Sequence, residues 1–587
     1  MRRAENDGIF NFLQIIRATI RRVEQMTIGV LLLFSLTLIA ASVSPVSGQE
    51  KSVNLYAHAK SVLSLNASTF DDAVFRKNVA TIVMLYSSSC GACVGYAPKW
   101  VNFAENVKGW KRYARVAAIN CNNPQDYTKC IENGLTAYPT IRYYGYQSKG
   151  PNDGATVMEM THSNAYLLPL VLAKHMMNDW NKLKPADWPN FDLVPTFEMV
   201  PQFLSPWAPF MAIIVQTPDD STGAAITLDL SNQYSVETRI MDYLHPYAMA
   251  QGMSTKTRVP GLIIERRDTQ QVLFVSKESL NRNSILDIIS STTNTPNPLD
   301  SIETVNLFQP QLKRRENADP NTIFVHASDV KSGLAYMLRY EVPMRQKIDG
   351  EAKVALHQFL KMLTKYLMME RNLMLMLNEF AAFTDESPGS ISSEDWRRKY
   401  DELQRTFRYP LPNDTTWVGC KGSESRYRGY PCSVWMIFHL LTVQAYINDG
   451  HLSNFDPVQV PWSIYGYVKH FFGCRFCANN FGKNAQKMAS VIHNKTDGVL
   501  WLWKSHNRAS YFLKGHVTED PDFPKNQFPY KEICSNCFNP DGTYNEAMVF
   551  RFLLRFYSDV KTFEPKAYHS WLAYRKGFNP RRNGRMA

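Results

Sequence analysis

Ten cysteines fall in five close pairs, and no other feature of this 587-residue sequence restricts its fold as much. The pairs are Cys90/Cys93, Cys121/Cys130, Cys420/Cys432, Cys474/Cys477 and Cys534/Cys537, and three of them have the form C-x-x-C. Even, paired cysteines in an exported chain predict disulfides. Two other readings compete. Cys474/Cys477 and Cys534/Cys537 would supply the four thiolates of a structural zinc site. The gap between these knuckles is far longer than zinc-ribbon spacing, so no metal is expected. The other reading makes all five pairs inert staples. It suits the two wider pairs and not Cys90/Cys93, whose local setting is that of a reactive couple.

The chain is too long for one core, and roughly three to five domains are expected. Its formal charge is +12. Lys and Arg are scattered, with clusters at Arg2–Arg3, Arg21–Arg22 and Arg575 to Arg585, and none interleaves with aromatics in a nucleic-acid-binding pattern. No nucleic-acid partner is expected. Ile28 to Ala41 is an apolar run behind Arg17, Arg21 and Arg22 and before the small residues Ser42 to Gly48. It is short for a membrane span and reads as a signal-peptide core. Translation from Met26 would give a complete signal peptide, and an uncleaved signal anchor is the alternative. The sequons at Asn66, Asn413 and Asn494 fit a lumenal, glycosylated chain.

Thr81 to Tyr86 is a β-rich apolar run, read as a buried strand. Ser87-Ser88-Ser89 is a polar turn, and Cys90-Gly91-Ala92-Cys93 opens a stretch with apolar residues at helical spacing, Val94, Ala97, Val101 and Ala104. Pro98 is expected to kink that helix. Val116 to Ile119 reads as the next strand, and Pro139-Thr140-Ile141 begins another. This order resembles a thioredoxin or disulfide-isomerase domain. Cys90 at a helix amino terminus is favoured as a thiolate, and Cys93, one turn on, resolves the mixed disulfide. The resemblance makes Pro139 the cis-proline that faces the couple, and Cys121–Cys130 a structural bridge. Isomerases carry Trp before the first Cys and His between the pair. Ser89 and Ala92 stand there, which predicts a less oxidising couple.

Phe210 to Thr217 and Val259 to Ile264 repeat the strand and Pro-then-strand pattern, with no cysteine between Cys130 and Cys420. They read as a second thioredoxin-like domain without a redox centre. A linker is expected near Thr292 to Pro298. From Lys353 to Leu377, apolar residues at Leu356, Phe359, Leu360, Leu363 and Leu367 keep a helical period. The methionines of this stretch read as core filling rather than a groove.

Two further stretches, Trp417-Val418-Gly419-Cys420 through Arg428, Cys432, Trp435 and His439, and Phe471-Phe472-Gly473-Cys474-Arg475-Phe476-Cys477, with Trp503, His506, Asn507 and Arg508 behind them, resemble the FAD domain of Erv-type sulfhydryl oxidases. Trp435 and His439 lie one turn apart on one helical face, and such faces suit a flat heterocycle. Nothing resembles GxGxxG, so a helical bundle rather than a Rossmann domain is expected to hold the flavin. The whole order resembles quiescin sulfhydryl oxidase. The resemblance implies a multidomain fold: two thioredoxin-like α/β domains (52–195 and 196–300), an all-α helical spacer (301–405) and an Erv-type four-helix-bundle FAD domain (406–558). Residues 1–48 form the signal segment and 559–587 a basic tail. The resemblance places FAD against Arg428, Trp435, His439, Asn480, Trp503, His506, Asn507, Arg508, Ser510, Lys525 and Phe528. Three positions depart from the family pattern: Phe476 replaces an acidic residue inside the second C-x-x-C, and Asn480 and Phe528 stand where His and Trp are common. Cys420–Cys432 is expected as a structural bridge, as is Cys534–Cys537, with an electron shuttle the alternative for the latter.

The implied activity is a monomeric secretory-pathway or extracellular thiol oxidase acting on reduced protein thiols and molecular oxygen. Electrons are expected to pass from Cys90/Cys93 to Cys474/Cys477, to FAD and to oxygen, giving hydrogen peroxide. Cys477 is expected to face the flavin and Cys474 to be exposed for exchange, with hinge motion near residues 292–298. A dehydrogenase with another acceptor, or a redox-inert adhesion or chaperone module, are the rival readings.

Overall fold

The computed structural model describes residues 53–157, 167–300, 302, 307 and 316–562. The segment 1–48 expected as a signal peptide or anchor and the tail beyond residue 562 lie outside the described residues. Among the described residues no helix is long and apolar enough to cross a membrane.

The first unit is a five-stranded sheet in the order β1-β3-β2-β4-β5. The strands are β1 (Leu63–Leu65), β2 (Ala80–Tyr86), β3 (Ala114–Asn120), β4 (Thr140–Tyr144) and β5 (Ala155–Val157). β2 pairs parallel with β3 and antiparallel with β4. All seven β2 residues are buried, as a continuous apolar run between two covered sheet faces requires. Helix α1 (Gly91–Asn106) follows β2 with Cys90 at its N-cap, and Pro98 lies inside it. Helix α2 (Leu168–Leu183) closes the unit.

The second unit repeats the plan with four strands in the order β7-β6-β8-β9. They are β6 (Phe210–Gln216), β7 (Val236–Asp242), β8 (Gly261–Arg266) and β9 (Val272–Val275), with helices α3 (Thr222–Leu230) and α4 (Arg282–Thr293). Both Tyr138–Pro139 and Val259–Pro260 are cis, each just before the antiparallel strand of its sheet. Ser221 holds the N-cap of α3, as Cys90 does for α1, and Ala224 stands three residues on where α1 carries Cys93. The Ser221 hydroxyl donates to the Leu170 carbonyl of α2 at 2.8 Å. The two sheet units are joined by a buried triad: Asp229 accepts from Trp110 Nε1 (2.7 Å) and from Arg282 Nε and Nη2 (2.7 and 2.6 Å).

The remainder, expected as all-α, is mainly helical, with two short strand pairings (Val325–His326 with Val560–Lys561, and Lys347–Ile348 with Ile391–Ser392): α5 (Ala327–Tyr336), α6 (Gly350–Tyr366), α7 (Arg371–Glu386), α8 (Ser393–Thr406), α9 (Gly429–Asp449), α10 (Gln459–Phe471), α11 (Arg475–Ala485), α12 (Asp497–Leu513) and α13 (Glu546–Ser558). A π-helical turn, Met337–Glu341, follows α5 directly. The helical period read over 353–377 does not form one helix. It breaks at Leu367, whose extended backbone ends α6. The period continues because both helices bury their stripes in one core. The helices expected as a spacer are not set apart either. Their apolar residues share a single core with α9, α10, α12 and α13. The segment expected as a hinge is tied down: Thr293 and Thr295 hydroxyls meet at 2.8 Å, and Asn297 Nδ2 donates to Asp287 at 2.7 Å.

Candidate functional site

The first centre is built where the thioredoxin-like sheet meets the helical unit. Cys90 and Cys93 are unbonded and buried. Cys90 leads α1, where unpaired amides favour an anion. The hydrogen bond from the Cys93 thiol holds the Cys90 thiol below its ordinary pKa, against burial, while burial pushes Cys93 well up. The pair is thus one nucleophile and one reserve proton.

The second couple, Cys474–Cys477, is bonded and opens α11, with Cys474 at the N-cap. Cys474 was expected to be exposed for exchange. It is only 5% exposed, because it packs into the same cluster as Cys90 and Cys93. The peptide next to it forms a strand-like bridge with the cis-proline loop, in which Tyr138 N–H donates to the Gly473 carbonyl at 2.8 Å. The loop Gly515–Glu519 completes the contact: a Cβ at Gly95 would lie 2.8 Å from His516 Cε1, and one at Gly91 would lie 3.5 Å from Thr518 Cγ2. Tyr127 also donates to the Tyr340 carbonyl at 2.5 Å. Two residues far apart in sequence, Cys90 and Cys474, are therefore buried in one apolar cluster, and the backbone beside Cys474 is bonded to the loop before β4.

The second centre adjoins the C-x-x-C helix through Phe481. On α11, Phe481 is one turn beyond Cys477, and its ring meets Trp435 at 5.9 Å. Trp435 and the His506 imidazole stack at 4.3 Å with planes 1° apart. His439 Nε2 lies 3.2 Å from His506 Nδ1, and its ring stacks on Tyr557 at 4.6 Å. Burial pushes the His506 pKa down to about 3 and holds His439 well below its usual value, so both are neutral near pH 7. His439 Nδ1 is buried with no hydrogen-bond partner among the described residues. Nearby in charge, Arg428 and Lys525 are partly buried cations. Burial lowers Arg428 to about 10, and burial and then Arg428 lower Lys525. Arg428 caps α9 with a positive φ, donates to the Gly419 carbonyl at 2.6 Å and lies over the Phe523 ring. Flat ring faces, an orphan imidazole nitrogen and two partly buried cations fit FAD, the rings suiting the heterocycle and the cations its diphosphate.

Other sequence-selected residues divide. Trp503 Nε1 and the Asn507 carboxamide are both committed to the Phe528 backbone, Asn507 as donor and acceptor at 2.8 Å each. They shape the Phe528–Pro529 turn rather than offer free polar atoms. Phe528 packs on Phe552 and Phe556. Asn480 and Arg508 are exposed, Ser510 is half-buried, and Phe476 is exposed. Cys121–Cys130, Cys420–Cys432 and Cys534–Cys537 are bonded. Asn66, Asn413 and Asn494 are all exposed.

Two acids escaped sequence reasoning. Asp329 of α5 accepts from the amides of Val418, Gly419 and Cys420 at 2.7, 2.7 and 3.2 Å, and so fixes the turn whose Gly419 carbonyl receives Arg428. Glu341 accepts from Gly473 N–H at 2.7 Å, beside Cys474. Isolated acids carry no motif, so no sequence signal marks either.

Residues 61–160 match the family described as thioredoxin, 321–423 that described as flavin adenine dinucleotide (FAD)-dependent sulfhydryl oxidase, and 432–529 the Erv1 / Alr family. The chain is 30% identical over 514 residues to sulfhydryl oxidase 1 of Rattus norvegicus, covering 83% of this chain and 64% of that protein. It is 29% identical over 564 residues to sulfhydryl oxidase 1 of Cavia porcellus, covering 90% and 87%. The chain thus spans just under two thirds of the rat relative's length. Among solved structures, the sulfhydryl oxidase fragment of human QSOX1 is 33% identical, with a TM-score of 0.39, and the match covers 42% of this chain and all of that one.

Proposed function

The chain belongs to the quiescin sulfhydryl oxidase family, and from that premise we propose that it is a FAD-dependent thiol oxidase that makes disulfides in protein substrates. A substrate thiolate attacks the Cys90–Cys93 disulfide, and the second substrate thiol releases the reduced pair. Cys90 thiolate then attacks Cys474. The Cys474–Cys477 bond breaks, and its electron pair leaves on Cys477. Cys93 next attacks Cys90, and its proton passes to the departing Cys474 thiolate. Bound flavin supplies two-electron acceptance from the Cys474/Cys477 pair and discharge to oxygen as hydrogen peroxide. The rings of Trp435, His439 and His506 would hold the flavin, and Arg428 and Lys525 its diphosphate. Asn480, Arg508, Ser510, Trp503, Asn507 and Phe528 are the remaining positions that the family pattern assigns to it.

The supporting observation is that Cys90 and Cys474 are buried in one apolar cluster, with the Tyr138–Gly473 hydrogen bond joining their neighbouring segments. The four-stranded unit serves as a redox-silent thioredoxin-like domain, since Ser221 and Ala224 occupy the positions of its couple. Helices α9, α10, α12 and α13 form the flavin bundle. A signal segment at 1–48 and three exposed sequons support residence in the secretory pathway or outside the cell. The test is oxygen uptake with a reduced protein as substrate. One hydrogen peroxide per disulfide is expected, and none from Cys474→Ala. Disulfide formation without peroxide would favour a dehydrogenase.

A further inference from the structure

A buried carboxyl sits beside the second couple, outside the residues that exchange electrons. Glu341 is 3% exposed, in the π-helical turn that follows α5. Such turns recur at functional positions. One carboxyl oxygen accepts from Gly473 N–H at 2.7 Å. The other accepts from the hydroxyls of Tyr430 and Tyr467, the latter at 2.6 Å. Gly473 is sandwiched: a Cβ there would lie 3.0 Å from Tyr138 Cδ2 and 3.2 Å from Glu341 Oε1. The same peptide segment that Glu341 grips by its amide offers its carbonyl to Tyr138. Glu341 also acts on Cys90 electrostatically, opposing the thiolate.

We propose that Glu341 is a positioning residue for transfer between the couples, clamping the Gly473 strand against Tyr138 and setting a negative charge whose field reaches Cys90. The inference rests on the relay reading above. Its logic is differential. A thiolate on Cys90 repels the carboxylate, and the repulsion vanishes when that electron pair enters the Cys90–Cys474 bond. The Glu341 charge therefore favours the mixed disulfide over the reduced pair. A carboxyl held only for packing would give no such bias. Burial raises the Glu341 pKa to about 7, so its charge grows through neutrality. The groups facing it are Tyr430, Tyr467, Tyr336, Tyr127 and Tyr138, and burial keeps these phenols neutral in that range. Cys90 is a further titrating group within reach of its charge.

The experiment uses the full chain carrying Cys93→Ser and Cys477→Ser, equilibrated in a glutathione redox buffer. Glutathione disulfide is the oxidant: it yields two glutathione thiols for each Cys90–Cys474 bond formed, read by mass spectrometry of unreduced peptides. We expect the bond in this parent, and Glu341→Gln to lower its equilibrium constant by about tenfold. The parent-to-variant ratio should grow from about pH 6 to about pH 8, as a charge-based role requires. Gly473→Ala, whose Cβ would press on Tyr138 and Glu341 with the charge retained, is a second probe and should also lose about tenfold. A parent that forms the bond with Gln or Ala variants that match it, or a ratio flat with pH, overturns the Glu341 role alone. A parent that forms no such bond overturns the relay itself, and this inference with it.

Discussion

Tyr138 and Gly473, 335 positions apart, share a backbone hydrogen bond of 2.8 Å that ties the cis-proline loop to the segment leading into the second C-x-x-C. The close fit extends along α1, where Gly95 faces His516. A leucine at Gly95 would drive its side chain into that imidazole and separate the units without touching a cysteine. We expect Gly95→Leu to slow oxidation of a reduced protein by at least about tenfold, the factor from a ~1.4 kcal/mol rise in barrier. Oxidation of a concentrated small dithiol able to reach Cys474/Cys477 directly should suffer far less. Stopped-flow comparison of the two substrates reads the difference, and equal slowing of both would argue against docking as the step affected.

Stability between the two sheet units rests on Asp229. Its carboxylate is buried, with burial raising its pKa against the pull of Arg282. Removing Arg282 would leave the buried Asp229 charge with the Trp110 N–H and no cation to answer it. Breaking such pairs destabilises by about 3–5 kcal/mol. Arg282→Ala should lower the urea midpoint of the sheet units accordingly, and Arg282→Ala with Asp229→Leu should recover part of the loss, since it removes the buried charge but orphans the Trp110 N–H. No recovery in the double variant would mean that the buried charge is not what matters.

Much of this was legible in the sequence, and the boundary follows a physical line. Local pattern placed β2, the N-capping role of Cys90 and the second Pro-then-strand unit, because burial periodicity and helix capping are encoded within a few residues. Trp435 and His439 were legible as a pair for the same reason. Tertiary facts were not. Nothing near Cys474 announces that the thioredoxin-like unit covers it, and Glu341, Asp329 and Asp229 gain their meaning only from amides and cations far away in the chain. The break at Leu367 was hidden because α6 and α7 both present apolar stripes to one core.

The neutral imidazole pair gives a pH dependence with a definite sign. Burial holds the His506 pKa at about 3 and His439 well below the usual value, while both return to about 6.5 on unfolding. The unfolded state therefore binds more protons between those limits, and stability rises with pH. It is complete above about pH 6.5 and is lost progressively below it. Urea midpoints of the helical unit should fall from about pH 7 to about pH 4.5. His506→Asn, which removes one of the two groups, should flatten that fall; an unchanged slope would show that other groups govern it.

The couple itself offers the last test. In Cys90-Gly91-Ala92-Cys93 no cation stands between the sulfurs to stabilise the thiolate. The support that Cys90 receives comes first from the Cys93 thiol and then from the amides of Cys93 and Ala92, while Glu341 opposes it. An imidazolium at position 92 would add charge stabilisation to the reduced form only. A better-stabilised reduced form makes a stronger oxidant, by about 30 mV for each tenfold in the exchange constant. We expect Ala92→His to raise the Cys90/Cys93 reduction potential by about that much against glutathione. The same change should speed attack by client thiols and slow delivery to Cys474, because a couple that holds electrons more firmly gives them up less readily. A potential that stayed put, or transfer to Cys474 that quickened, would mean that the pocket around Cys90 already masks the charge.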